Sequence, residues 1–233
     1  MAFPIRINKY MAEMGFSTRR GADALIEKGV VFVNGKPALM GQQILQGDKV
    51  EVREKQREYT YLLYYKPRGV ITHSPAMHET DIATRINTDH GISGLAPIGR
   101  LDKDSEGLIL LTDDGRVTDR ILNPKYEHVR TYEVTVDKGI TGTFLTALEK
   151  GVRIEGYTTK PTHVTKIGKN SFRLDLTEGK KHQVRRMCAA LGYQVEKLVR
   201  VTLMNIEVNG LGSGQYRILK GAELNAFLKA LGL

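Results

Sequence analysis

The chain has 233 residues, 41% of them hydrophobic, enough to bury the core of one large and one small domain. Thirty-five Lys and Arg stand against 26 Asp and Glu, a formal charge of +9, with an excess both before and after residue 58, which favours a polyanionic partner by counterion release. A single cysteine, Cys188, excludes an internal disulfide and a thiolate zinc site, and the histidines lack metal-ligand spacing. Met1–Arg6 has no signal-peptide apolar run and no stretch approaches a membrane span, so the expectation is a soluble, cytoplasmic protein without metal.

Residues 5–14 carry apolar groups at 7, 10, 11 and 14, a helical spacing closed by Gly15. Ser17 or Thr18 is placed to cap a second helix that holds Ala22, Leu25 and Ile26 and ends at Gly29. Val30–Val33 reads as a strand, Asn34-Gly35 as a tight turn, Lys36–Ala38 as the return and Lys49–Val52 as a last strand. Two short helices and a small sheet in this order resemble the S4 RNA-binding module. The resemblance assigns residues 1–52 to an S4 domain and implies RNA contacts at Arg6, Lys9, Arg19, Arg20 and Lys36. Arg19 and Arg20 fall in a first helical turn, where the dipole disfavours cations. That misfit suits a binding site, and a solvated arginine pair is the alternative. Gly21 replaces the Glu often found after that pair. Residues 53–58 are fully polar and read as a linker, leaving 59–233 as a second domain.

Tyr61–Tyr65 reads as a strand; Pro67 then forces Lys66 to be extended and Gly69 permits a turn. Residues 73–96, with His73, His78 and His90, read as an irregular loop. Next, a charged turn containing Asp102 runs straight into Leu108–Leu111, short enough for one buried strand closed by Asp113-Asp114-Gly115. On spacing alone Asp102 could bond turn amides or form an ion pair. Val117–Leu122 reads as a helix stopped at Asn123-Pro124. Alternation along Arg130–Val136 puts Tyr132 on the face of Val134 and Val136, where a core tyrosine is one reading. Thr141 caps a helix closed by Gly151, and Phe172, Leu174 and Leu176 mark a strand face. Val184, Met187, Cys188 and Leu191 form a helical stripe, so Cys188 reads as a small core residue. Lys180, Lys181, His182, Arg185 and Arg186 crowd the front of that helix against its dipole, either as a solvated basic patch or to meet a polyanion or carboxylate. Ala222–Leu231 reads as a final helix.

Four stretches carry a resemblance: Lys66-Pro-Arg-Gly-Val-Ile-Thr72, Gly99-Arg-Leu-Asp102 with Gly107-Leu-Ile-Leu-Leu-Thr112, Arg130-Thr-Tyr132, and Glu178-Gly-Lys-Lys-His-Gln-Val-Arg-Arg-Met187. Together they resemble the pseudouridine synthases, in the branch of ribosomal small- and large-subunit uridine synthases (the RsuA family). Ser105 stands where that branch more often has Thr. The resemblance implies an α+β fold: an S4-like domain, then a catalytic domain with a mostly antiparallel mixed sheet flanked by helices. It implies isomerisation of uridine without cofactor or metal, with Asp102 as nucleophile or base and Tyr132 stacked on the base. Arg185 would hold Asp102 ionised, with Arg186 as the second candidate. Leu198 would lie beneath the uracil, Arg100 would fill the vacated space or hold a phosphate, and Lys180, Lys181 and Arg186 would bind phosphates. Lys66 would support the floor of the site. The text around Asp102 and along Val195–Asn205 looks closest to a bacterial large-subunit subtype, so the expected partner is 23S ribosomal RNA and the expected state a monomer. The alternatives are 16S rRNA or tRNA with the same chemistry, or a non-catalytic RNA-binding ribosome-assembly factor. Glycoside hydrolysis by Asp102 with Asp104 or Glu106 has no tryptophan platform behind it.

Overall fold

The computed structural model describes residues 1, 3–53 and 58–233; residues 54–57 of the expected linker lie outside the described residues. Chain proximity divides it into two units: Met1–Tyr59 with Asp114–Arg120 and Leu228–Leu233, and Thr60–Asp113 with Ile121–Phe227.

In the first unit the helices are Ile7–Glu13 and Arg19–Glu27. Thr18, the second of the two cap candidates, accepts from the Gly21 amide at 3.0 Å. A Cβ on Gly21 would lie 2.2 Å from Ser17 Oγ, a hydroxyl that would have to turn aside. Asn8 Nδ2 donates to the Asp23 carboxylate at 3.0 Å and ties the helices together. Val31–Val33 is the middle strand between Lys36–Pro37 and Val50–Val52. Asn34 and Gly35 both take positive φ, the conformation of a tight two-residue hairpin. Ile7, Met11, Ala22, Ile26, Val31 and Ile44 form the core.

The second unit is built on a nine-stranded sheet. Its path runs Val164–Lys166, Ser171–Leu176, Arg130–Val136, Val195–Leu203, Glu106–Thr112, Tyr61–Lys66 and Tyr216–Ile218, with Ile206–Glu207 and Ala96–Ile98 pairing beside it. Val195–Leu203 and Glu106–Thr112 run parallel; the other described pairs are antiparallel, as the sequence led us to expect. Leu108–Leu111 are fully buried at the centre.

Two apolar clusters pack on this sheet. One gathers Val134, Phe144, Phe172, Met187, Cys188 and Leu198; the other gathers Leu62, Ile82, Ile86, Leu101 and Ile109; Tyr132 packs on both. The second cluster corrects the expectation of a loop at 73–96, because Ile82–His90 is a helix. Asp81 caps it by accepting from Thr84 N at 2.8 Å, Gly91 closes it at φ 69°, and Ile82 and Ile86 bury one face. Among the described residues, no helix is long and apolar enough to cross a membrane.

Candidate active site

Asp102 sits in a turn clamped from below. Leu101, directly before it, is buried in the second cluster. The Thr72 hydroxyl donates to Leu101 O at 2.8 Å and accepts from Leu101 N at 3.0 Å, holding both backbone groups of that residue. Gly69 N donates to Lys103 O at 2.8 Å, and Ser105 N to Asp102 O at 3.0 Å. Beneath the turn, the fully buried Lys66 ammonium donates to Val70 O at 2.5 Å, Pro67 O at 3.0 Å and Lys103 O at 3.4 Å. Burial pushes Lys66 down to about 8, against the pull of the Asp102, Glu106 and Asp104 carboxylates. These contacts spend every donor of the ammonium on main chain, so Lys66 holds the floor.

Gly107 starts the buried strand and explains its own identity. It pairs with Arg200 of the parallel neighbour at φ +103°, and an added Cβ would stand 2.3 Å from Arg200 O.

Above the turn lies a cavity of about 690 Å³. Asp102, Tyr132, Leu176, His182, Val184 and Leu198 line it, with Arg100, Lys180 and Lys181 at exposed positions on its walls. The Asp102 carboxylate is about one-third exposed, and His182 Nδ1 lies 3.0 Å from its Oδ2. His182 is the residue before the helix Gln183–Ala190 and holds a left-handed backbone, φ 52° and ψ 30°, unusual for a residue with a Cβ.

Two expectations change here. Arg185 was expected to be the cation on Asp102; its guanidinium instead donates to Val195 O at 3.0 Å and Asp104 O at 2.9 Å. The reason is geometric: half-buried Arg185 reaches across to main-chain carbonyls, one of them in the Asp102 turn, while His182 one turn earlier takes the place beside the carboxylate. Arg186, expected on phosphates, lines neither described cavity and pairs with Glu155 at 2.6 Å.

Tyr132 and Leu198 come from neighbouring strands, and Tyr132 is paired in register with Arg200. Arg200 went unassigned from sequence. It is 3% exposed and donates through Nε to Leu108 O at 2.7 Å. Burial pushes its guanidinium below the ordinary arginine value, the Tyr132 hydroxyl pulls it back, and Arg130 lowers it again. The signal was a cation two residues after Leu198 on a strand whose neighbours are apolar. His182 reads from sequence as one member of a basic cluster, and nothing in the sequence singles it out.

In the first unit, Arg6, Lys9, Arg19, Arg20 and Lys36 are all exposed. Lys9 lies 3.8 Å from Glu13, one turn on.

A model of the RNA pseudouridylate synthase family matches residues 60–190, and one of the S4 domain matches residues 5–50. The chain is 38% identical to the dual-specificity RNA pseudouridine synthase RluF of Escherichia coli, over 97% of this chain and 79% of the relative. It is 36% identical to ribosomal large subunit pseudouridine synthase B of Bacillus subtilis, over 97% of this chain and 96% of that one. A solved pseudouridylate synthase superimposes with a TM-score of 0.68 at 30% identity, covering 97% of this chain and 99% of the other. With the synthase match spanning more than half its length, the chain belongs to the RNA pseudouridylate synthase family, as an isomerase that carries an S4 domain ahead of its catalytic fold.

Proposed function

We propose that this enzyme isomerises a uridine of ribosomal RNA, in the large subunit, with Asp102 as its catalytic carboxylate. The observation that carries the reading is the clamped, solvent-reached Asp102 at the mouth of a cavity faced by Tyr132 and Leu198. In the reaction the bond from N1 of uracil to C1′ breaks and a bond from C5 to C1′ forms. N1 gains a proton and C5 loses one, so atoms balance without a redox partner. Asp102 serves either by attack at C1′ or by taking a ribose proton; both need its ionised form. Tyr132 stacks on the base and Leu198 packs beneath it. Arg185 acts by fixing the Asp102 turn through Asp104 O. The flipped uridine leaves its stack at a cost of a few kcal/mol. Arg100 stands beside that vacated space, and Lys180 and Lys181 meet phosphates without reading sequence. Arg186 can join them only by leaving Glu155.

The S4 domain spans 1–52 and grips RNA through Arg6, Lys9, Arg19, Arg20 and Lys36, with 53–58 as linker and 59–233 as catalytic domain. The protein works as a cytoplasmic monomer. Large-subunit RNA is favoured by the name of the Bacillus subtilis relative. A second reading adds a second RNA substrate, because the Escherichia coli relative is named dual-specificity.

Release of tritium from C5-labelled uridine tests this on 23S, 16S and tRNA transcripts. Release from 23S, alone or with one other RNA, is the expected result. Release from 16S or tRNA only would overturn the large-subunit assignment. No release from any of them, with RNA binding intact, would favour the non-catalytic reading.

A further inference from the structure

A second cavity, of about 530 Å³, adjoins the first and shares Arg100, Tyr132, Glu178, Gly179 and Lys180 with it. Arg200 lines this cavity and not the Asp102 one. Its Nη2 is buried and has no hydrogen-bond partner. Arg130, on the neighbouring strand and also lining the cavity, adds a like charge against it. Glu178 is the one carboxylate among the described lining residues, and its oxygens are engaged by the Tyr157 hydroxyl, Gln183 Nε2 and Lys160 N. A buried guanidinium with a free donor beside a second guanidinium is costly unless an acceptor or anion arrives. The lining also includes apolar side chains, among them Ile98, Ile121, Leu122 and Leu203. A bare phosphate has no use for such side chains; a nucleobase does.

We infer that this second cavity takes a second unstacked nucleotide of the substrate RNA, close in the strand to the target uridine. Its base lies against Leu122 and Leu203. Its phosphate or a base carbonyl accepts from Arg200 and Arg130, and Lys180, shared by both cavities, meets the backbone between the two nucleotides. The inference rests on the RNA synthase reading. It adds that recognition requires two displaced nucleotides, and that the flanking one supplies part of the specificity.

The test uses the full chain and the transcript that wild type modifies. Leu122→Trp fills the second cavity from a 41% exposed position that does not line the Asp102 cavity, and urea unfolding checks that the fold is retained. Positions flanking the modified uridine are made abasic one at a time. One abasic position is expected to lower wild-type kcat/KM about tenfold and to have no further effect in Leu122→Trp, which is itself lowered about tenfold. Arg130→Gln should give the same non-additivity with the same nucleotide. Additive losses at every position, or an unchanged Leu122→Trp, would overturn the inference. Coupling of Arg130→Gln to a neutral phosphate substitution alone, without coupling to any base, would overturn it in favour of a phosphate site. If no transcript is turned over, the substrate assignment fails separately. The cavity is then tested with adenosine 5′-monophosphate, following the Arg130 and Arg200 Nε–H resonances. Shifts in wild type that vanish in Leu122→Trp support it, and unmoved resonances overturn it.

Discussion

The Asp102 turn and the Glu178–Val184 segment line one cavity but are held differently. The turn is fixed from the buried side by Thr72, Lys66 and Gly69, all through main-chain groups. The segment is exposed at Lys180, Lys181 and His182, and carries a left-handed histidine. Under the proposed function, the difference separates two tasks. A reacting carboxylate must be placed to a fraction of an ångström, so its position is over-determined by the core. Cations that meet a flexible polyanion need charge more than fixed geometry, so they stay solvated and adjustable.

The rigid side of that comparison breaks hardest at Gly107. Gly107→Ala drives a Cβ into Arg200 O and forces a non-glycine φ of +103°, so a loss of about 3 kcal/mol or more is expected in urea unfolding. Lys66→Met strips buried carbonyls of their donor, at a cost of about 2–4 kcal/mol. Its pH dependence has a defined sign. The folded Lys66 titrates near 8 and the unfolded lysine near 10.5, so between those values the unfolded chain binds more protons. Stability of wild type relative to Lys66→Met should therefore rise with pH across that window, measured by urea midpoints at several pH values. A gap that shrinks with rising pH would contradict the burial account.

On the adjustable side, His182→Gly removes the left-handed strain and the Asp102 partner together. Stability is expected within about 1 kcal/mol of wild type, while turnover falls about tenfold. Equal loss of stability and turnover would mean that His182 is structural. The smallest effect concerns Cys188, whose thiol burial pushes up to about 12. Alkylation by iodoacetamide should be negligible in the native protein at pH 8 and rapid in urea.

The rigid half was the more legible in the sequence. Leu108–Leu111 announce a buried strand; Ser17 or Thr18, Thr141 and Gly151 mark helix ends, and the structure uses Thr18, Thr141 and Gly151. The helix Ile82–His90 is poorly legible because only Ile82 and Ile86 mark its buried face and the stretch is otherwise polar, although Asp81 and Gly91 bracket it. Contacts within the site were less legible. Helical periodicity places Arg185 near the turn, but which carbonyl a five-donor side chain finds depends on strands distant in sequence. The pairing of Gly107 with Arg200 likewise depends on a parallel neighbour that no local pattern specifies.

The central claim is that a rigidly held, ionised Asp102 does the chemistry while binding is carried elsewhere. The direct measurement is single-turnover tritium release by Asp102→Asn, with RNA affinity measured on the same preparation. The account predicts release lowered by at least about 10³-fold with affinity within about threefold of wild type, the pattern of an interaction made only on the way to the transition state. Release within tenfold of wild type, or loss of affinity in step with loss of release, would contradict it.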